Sequence, residues 1–122
     1  MMNLSSEQIV AAVKNAGVIG AGGGGFGTSI CHMFGKEGAN VICNDIDHTW
    51  ADKVSKEVNE MGGKGVATYA DVTKFEDLQK MADTAVKQFG RIDYLVTVPA
   101  ITVAGPFVES KPEIWRKTIE IT

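Results

Sequence analysis

The stretch Gly20-Ala21-Gly22-Gly23-Gly24-Gly25-Phe26-Gly27 decides the fold of this 122-residue chain. It follows a short apolar run, Ala16 to Ile19, which we expect to form a strand, and it precedes a run that predicts a helix to about Glu37. A glycine loop between a strand and a helix leaves backbone N–H groups free at the helix N-terminus, where nucleotide phosphates bind. The stretch therefore predicts a nucleotide-binding βαβ unit.

Two overlapping patterns in this loop match the dinucleotide-binding fingerprint, Gly20-x-Gly22-x-x-Gly25 and Gly22-x-Gly24-x-x-Gly27. The context supports a nucleotide site, because Asp45 ends the next predicted strand, 25 residues after Gly20. An acidic side chain at that place accepts hydrogen bonds from the ribose hydroxyls of adenosine and repels a 2′-phosphate, which favours NAD over NADP. The alternative is a flexible glycine turn beside a solvated Asp45.

The rest of the chain alternates predicted strands with predicted helices, so we expect an α/β fold. Long connections favour right-handed crossovers, and the result is a Rossmann-type, doubly wound parallel sheet in the strand order 3-2-1-4. The further strands are expected at 40–44, 65–70 and 92–98. The helices are expected at 5–14 with a Ser5/Gln8 capping box, from about Thr49 to Gly62, from the Thr73-x-x-Glu76 box to Gly90, and from Ser110 onward.

Helical and strand periodicity also predict which faces are buried. Ile30 and Phe34 are expected in the core, and the strand at 92–98 is apolar enough to be buried on both faces. The predicted apolar faces of the next two helices are Trp50, Val54, Val58 and Met61, and then Phe75, Leu78, Ala82, Ala85, Val86 and Phe89.

Composition excludes several classes of protein. The net charge is −3 without a basic block, so we expect neither nucleic acid nor a membrane as a partner. No apolar run is long enough to span a bilayer, and Met1 to Lys14 lacks the pattern of a secretory signal. Cys31 and Cys43 form no CxxC pair and are expected to be small buried hydrophobic residues, which predicts a cytoplasmic protein.

Four stretches together resemble the short-chain dehydrogenase/reductase family, and the likeness extends from Val13 to the end of the chain. They are the glycine loop, Val41 to Asp45, Asp71-Val72-Thr73, and Phe89 to Val96. Residues 18–25 alone would also suit a Rossmann domain of the 3-hydroxyacyl-CoA dehydrogenase type, but the later stretches favour the short-chain family. The cofactor-binding positions that this resemblance implies are Gly20, Gly22, Gly25, Phe26, Gly27, Asp45, Asp71, Val72 and Ala100.

The sequence departs from the family pattern at several of these positions. Ile19 replaces the Thr before the glycine loop, and the loop holds one extra residue between Gly20 and Gly25. The Asn-Asn-Ala-Gly of the family reads Thr97-Val98-Pro99-Ala100, in which proline removes a backbone donor and alanine adds a methyl group where the cofactor approaches. NAD is therefore expected to bind weakly or not at all.

No catalytic residue is assigned. The position of the catalytic Asn of the family falls on Thr122, and the chain contains no Tyr-x-x-x-Lys, since Thr73 follows Tyr69 and Val98 follows Tyr94 at that spacing. No metal site is assigned either, because Asp45, Asp47 and His48 in a strand-to-helix loop are interpreted as solvated or capping residues. His32 is interpreted as structural rather than phosphate-binding, Ser110 as a helix N-cap, and Trp50 and Trp115 as residues of apolar helix faces.

Three hypotheses follow from the resemblance. In the first, the chain is a non-catalytic subunit that supports an active homologous subunit in a hetero-oligomer acting on a small-molecule substrate. In the second, residues 1–122 are an incomplete Rossmann-like domain, the cofactor-binding N-terminal half of an active NAD-dependent dehydrogenase. In the third, the chain is a stand-alone nucleotide-binding module.

Overall fold

A computed structural model describes the residues Ser5, Glu7, Gln8, Ala11 and Lys14 and the ranges 17–21, 25–99 and 105–121. Strands and helices alternate along the chain, as the sequence predicts. The elements are β1 (Gly17–Ala21), α1 (Phe26–Lys36), β2 (Asn40–Asn44), α2 (His48–Glu60), β3 (Lys64–Thr68), α3 (Phe75–Phe89), β4 (Tyr94–Thr97), a short 3₁₀ helix (Phe107–Glu109) and α4 (Pro112–Ile121).

The four strands form one parallel sheet in the order β3-β2-β1-β4. This order confirms the predicted arrangement, in which the chain runs outward from β1 to β3 and then crosses back to place β4 on the other side of β1. β2 matches its predicted bounds of 40–44. β1 ends two residues later than predicted, and β3 begins one residue and ends two residues earlier than predicted.

The core consists of two clusters, one on each face of β2. Val41 and Cys43 pack with residues of α1 and α2, while Ile42 packs with α3. Val41, Ile42 and Cys43 are all fully or almost fully buried, as expected for a parallel strand covered by helices on both faces. The first cluster is Cys31, Ala39, Val41, Cys43, Val54 and Val58, and the second is Ile42, Ala70, Met81 and Ala85.

The described part of the N-terminal segment confirms the predicted capping box. The Ser5 backbone N–H donates to Gln8 Oε1 at 2.8 Å, and the Gln8 N–H donates to Ser5 Oγ at 3.2 Å. In α1 the prediction of the buried face is partly wrong, because Gly27, Cys31 and Gly35 are buried while Ile30 and Phe34 are only half-buried. A Cβ at Gly35 would lie 3.1 Å from Val58 Cγ1, so this glycine lets α1 approach α2 closely.

The predicted start of α2, near Thr49, is confirmed to within one residue, whereas its predicted face needs correction. The helix begins at His48, and Asp47 caps it by accepting a hydrogen bond from the Thr49 N–H at 2.9 Å. Val54 and Val58 are buried as predicted, but Trp50 remains 39% exposed and lies beneath the Lys53 ammonium group.

The predicted start and face of α3 also need correction. The Thr73/Glu76 capping box does not form, because the Thr73 hydroxyl donates to Asp71 Oδ1 instead, and the helix begins at Phe75. Met81 and Ala85 are the buried residues, whereas Phe75 is 74% and Val86 51% exposed. The helix ends at Gly90 as predicted, with a φ of 78° that glycine adopts without strain.

The prediction that β4 is buried on both faces is wrong for this chain. Leu95 is 62% exposed and Tyr94 39%, because β4 is an edge strand with β1 as its only neighbour in the described sheet. The helix α4 has no buried residue, and Trp115 and Ile119 on it are exposed. The Trp115 indole N–H donates to Ser110 Oγ at 2.7 Å, so the Ser110 hydroxyl is a hydrogen-bond acceptor for the tryptophan.

Two further predictions concern side chains between α1 and its neighbours. His32 Nε2 lies 2.8 Å from Glu57 Oε2, which ties α1 to α2 and supports a structural histidine. Cys31 and Cys43 are free and buried, as predicted. A hydrogen bond with the Cys31 thiol, together with burial, raises the pKa of Cys43.

Within the ranges that the structure describes, no helix is both long and apolar enough to cross a membrane.

Asp93 fastens the start of β4 to the start of β1. The Gly17 N–H donates to Asp93 Oδ2 at 2.7 Å, and the Asp93 N–H donates to the Gly17 carbonyl at 2.8 Å. The Arg91 guanidinium also donates to the Asp93 carboxylate. The Arg91 side chain and the Gly17 N–H lower the pKa of Asp93, because both stabilise the ionised carboxylate.

We expect this carboxylate to make folding acid-sensitive. Its pKa is lower in the folded chain, so it stabilises the fold above the unfolded value of about 3.9, and this contribution is lost as the pH falls through the folded value. Urea unfolding measured from pH 7 down to pH 3 should show a smaller loss of stability in Asp93→Asn than in the wild type. Equal losses in the two proteins would contradict the assignment.

Candidate functional site

The carboxyl ends of the four strands meet at one edge of the sheet. The register aligns Thr97 of β4 with Ala21 of β1, Ala21 with Asn44 of β2, and Asn44 with Thr68 of β3. The loops that follow these strands therefore lie side by side. In doubly wound sheets ligands bind outside this edge, where the chain reverses its direction across the sheet, here between β1 and β4.

The N-terminus of α1 lies at this edge. Gly25 precedes the helix with a φ of 87°, which is the left-handed region that glycine tolerates, and its carbonyl accepts from the Ser29 N–H at 3.1 Å. Gly27 is buried in the first turn, whereas Phe26 is 80% exposed. The free N–H groups of this turn make the helix start suitable for an anion.

Of the other two glycines predicted to bind the cofactor, the structure describes only one. Gly20 lies within β1, and Gly22 lies outside the described residues. Ala100 also lies outside them, while Pro99 before it is half-buried.

Asp45 lies directly after β2 and carries the most informative atom of the site. Its N–H donates to the Thr68 carbonyl at 3.2 Å, and its Oδ1 accepts from the Asp47 N–H at 2.9 Å. Its Oδ2 is buried but has no hydrogen-bond partner in the part of the chain that the structure describes. A buried carboxylate oxygen without a donor is costly, so the site fits a ligand that brings a hydroxyl or N–H group to this atom.

Asp71 and Val72 follow β3 on the same edge. The Asp71 Oδ1 accepts from the Thr73 N–H at 3.0 Å and from the Thr73 hydroxyl at 2.7 Å, and the Lys74 ammonium lies 3.4 Å from Asp71 Oδ2. The Thr73 hydrogen bonds, followed by Lys74, lower the pKa of Asp71. The Asp71 carboxylate therefore stabilises the loop that contains it. Val72, the next residue, is half-buried.

Asn44 lies between the apolar part of β2 and Asp45 and is not among the cofactor-binding residues predicted from the sequence. The structure buries this side chain, which bridges β2 to the residues after β3. The feature of the sequence that could have identified Asn44 is its place as a polar residue at the end of an otherwise apolar strand.

The other polar residues of the loop after β2 have partners of their own. Asp47 caps α2, and the His48 ring stacks on Tyr69 with 3.9 Å between the ring centroids. The Tyr69 hydroxyl donates to Asp52 Oδ1 at 2.6 Å, and this hydrogen bond raises the pKa of Tyr69. These contacts support the interpretation of Asp47 and His48 as structural residues.

Comparison with known proteins agrees with this geometry. The family model for short chain dehydrogenase matches residues 14–122. An uncharacterized oxidoreductase of Bacillus subtilis, YuxG, is 33% identical over 110 residues, which are 88% of this chain and 16% of that protein. Glucose 1-dehydrogenase 2 of the same organism is 35% identical over 99 residues, which are 80% of this chain and 38% of that protein.

A solved structure of a 7α-hydroxysteroid dehydrogenase, complexed with NADH and 7-oxo glycochenodeoxycholic acid, superposes with a TM-score of 0.78 at 29% identity. The match covers 89% of this chain and 44% of that one. The chain thus spans less than half the length of these relatives, and it resembles the cofactor-binding N-terminal half of a short chain dehydrogenase. With the family model matching nearly all of its length, the chain belongs to the short-chain dehydrogenase family of oxidoreductases.

Proposed function

We propose that this chain is an NAD-binding part of a short-chain dehydrogenase. The observation that carries the proposal is Asp45 Oδ2 at the carboxyl edge of the sheet, a buried oxygen that has no hydrogen-bond partner among the described residues. A ribose hydroxyl of NAD supplies the donor that this atom lacks. The 2′-phosphate of NADP would instead bring a second negative charge to the carboxylate, so the site favours NAD.

The remaining contacts follow from the placement of the loops. The N-terminus of α1, with Gly25, Phe26 and Gly27, faces the edge at which a pyrophosphate would bind, and the resemblance adds Gly20 and Gly22 to this group. Asp71 and Val72 would adjoin the adenine, and Ala100 the far end of the cofactor. Bound NAD supplies the hydride chemistry, while these residues bind and orient it.

We expect NAD to bind weakly, with a dissociation constant above the low-micromolar range, and more tightly than NADP. The extra residue in the glycine loop, together with Pro99 and Ala100, weakens binding, while Asp45 sets the preference. Titration calorimetry with both nucleotides tests this expectation. Low-micromolar NAD binding or a preference for NADP would contradict it.

Replacement of Asp45 isolates the ribose contact. A hydrogen bond to a charged group contributes about 1.5–3 kcal/mol, so Asp45→Ala should weaken NAD binding by about 10-fold to 100-fold and reduce the preference over NADP. Asp83→Ala is the matched control, since Asp83 is an exposed carboxylate on α3 that pairs with Gln79. Equal effects of the two substitutions would show that net charge, not the ribose contact, is responsible.

We propose that the chain is non-catalytic and supports an active homologous subunit, because the sequence has no Tyr-x-x-x-Lys and neither of its two tyrosines is suited to the proton transfer of this reaction. The proton donor of a dehydrogenase needs a lowered pKa. The hydrogen bond to Asp52 raises the pKa of Tyr69 instead, and the Tyr94 ring packs against Phe34 at 5.9 Å. In this proposal the active subunit handles the small-molecule substrate, neither nucleic acid nor membrane is a partner, and the two free thiols support a cytoplasmic location.

We expect no dehydrogenase turnover from the purified 122-residue chain with any alcohol and NAD. The measurement is NADH absorbance over time, with a full-length active short-chain dehydrogenase as the positive control. Steady turnover by this chain alone would overturn the non-catalytic assignment.

A second candidate is favoured by the coverage of the relatives. Because the chain matches only 38% of glucose 1-dehydrogenase 2 and 44% of the hydroxysteroid dehydrogenase, residues 1–122 would form a Rossmann-like N-terminal half of an active NAD-dependent enzyme. The length of the native gene product separates the candidates. A Ser and a Tyr-x-x-x-Lys downstream of Thr122 would favour this second one.

A further inference from the structure

Asn44 is the one buried polar side chain among the residues that the structure describes, with 4% of its surface exposed. Its Oδ1 accepts from the Ala70 N–H at 2.7 Å and from the Thr68 hydroxyl at 2.9 Å. Its Nδ2 donates to the Ala70 carbonyl at 3.0 Å. The side-chain amide therefore pairs with both backbone groups of Ala70.

These bonds extend the sheet beyond the end of β3. β3 ends at Thr68. Two residues later, the Asn44 side-chain amide bonds the Ala70 N–H and carbonyl in place of a neighbouring strand's backbone, and these bonds hold Ala70 against the end of β2. Asn44 directly precedes Asp45, and Ala70 directly precedes Asp71. One side chain thus fixes the spacing between the two loops that would enclose the adenosine end of a dinucleotide.

We propose that Asn44 is a positioning residue for this adenosine end, an inference that rests on the proposed NAD-binding function. It acts through the backbone: it holds Ala70 so that residues 71 and 72 stand at a set distance from the Asp45 carboxylate. The amide is required because Ala70 presents one donor and one acceptor. An ionised aspartate at this position has no N–H to offer the Ala70 carbonyl and places a negative oxygen against it.

The chain contains its own control for this role. Asn59 pairs in the same way with Gly65: its Oδ1 accepts from the Gly65 N–H at 3.0 Å, and its Nδ2 donates to the Gly65 carbonyl at 3.1 Å. Gly65 lies near the start of β3 and Ala70 beyond its end, so the two asparagines hold opposite ends of one strand. Only Asn44 lies at the proposed site.

The experiment compares Asn44→Asp with Asn59→Asp in the 122-residue chain, using NMR titration with ADP-ribose and amide hydrogen exchange. We expect Asn44→Asp to weaken ADP-ribose binding at least tenfold and to speed exchange at residues 70–72. Asn59→Asp should lower the urea midpoint but leave the affinity within about twofold of the wild type. Should Asn44→Asp not fold, Thr68→Val removes a single hydrogen bond to Asn44 and should weaken binding in the same direction.

The possible results separate the two proposals. A wild-type chain that gives no chemical-shift change with ADP-ribose overturns the proposed function. Unchanged exchange at residues 70–72 in Asn44→Asp or, failing that, in Thr68→Val overturns the positioning role. So does an equal loss of affinity in Asn44→Asp and Asn59→Asp.

Discussion

Gly65→Ala should destabilise the chain by about 3 kcal/mol, a large part of the stability of a small domain. A Cβ at Gly65 would lie 2.3 Å from the Ser55 carbonyl oxygen and 2.9 Å from the Ser55 Cα. Both are backbone atoms of α2, so no side-chain rotation relieves the overlap. Asn59 also holds both backbone groups of Gly65, which prevents β3 from moving away. Urea unfolding followed by circular dichroism measures the loss.

Gly105→Ala is the matched control for this substitution. A Cβ at Gly105 would meet no atom of the described residues within 4 Å, so its effect should stay within about 0.5 kcal/mol. A Gly65→Ala protein as stable as the control would mean that β3 and α2 are not packed as closely as the structure places them.

The close approach at Gly65 was invisible in the sequence, whereas β2 was predicted with its bounds. Val41, Ile42 and Cys43 form an apolar run between two polar asparagines, and a short run of this kind is typical of a strand covered on both faces. The order of the strands followed as well, because right-handed crossovers leave few alternatives. A glycine, by contrast, does not reveal which backbone lies against it.

Exposure was predicted less well than secondary structure. Phe75 and Trp50 fit the periodicity of their helices, but periodicity gives the side of a helix on which a residue lies and not how far the neighbouring element extends. Phe75 begins α3, and Trp50 lies in the first turn of α2, and both side chains are exposed. Prediction of the candidate site has the same limit. Asp45 was predicted from its spacing to the glycine loop, whereas the role of Asn44 is visible only from its contacts with Ala70 in the structure.

β4 and α4 carry apolar side chains that are exposed to solvent. Leu95 is 62% and Ile119 78% exposed, and Trp115 is 42% exposed. An edge strand usually carries a lysine or proline that prevents pairing with another strand. The other edge strand, β3, has Lys64, but the sequence of β4, Tyr-Leu-Val-Thr, has no such residue. We therefore expect this surface to be covered in the working protein, either by further chain or by a partner subunit.

The isolated chain should accordingly associate rather than remain a monomer, and Leu95→Lys should weaken that association. Burial of a leucine side chain contributes about 1.5–3 kcal/mol, so the substitution should raise the dissociation constant by about 10-fold to 100-fold. Light scattering over a range of concentrations, with and without a co-expressed homologous subunit, measures the effect. Trp50→Lys is the control, since Trp50 is an exposed apolar residue on α2, which packs against the opposite edge strand. A wild-type chain that unfolds cooperatively and stays strictly monomeric at high concentration would show that β4 needs no cover.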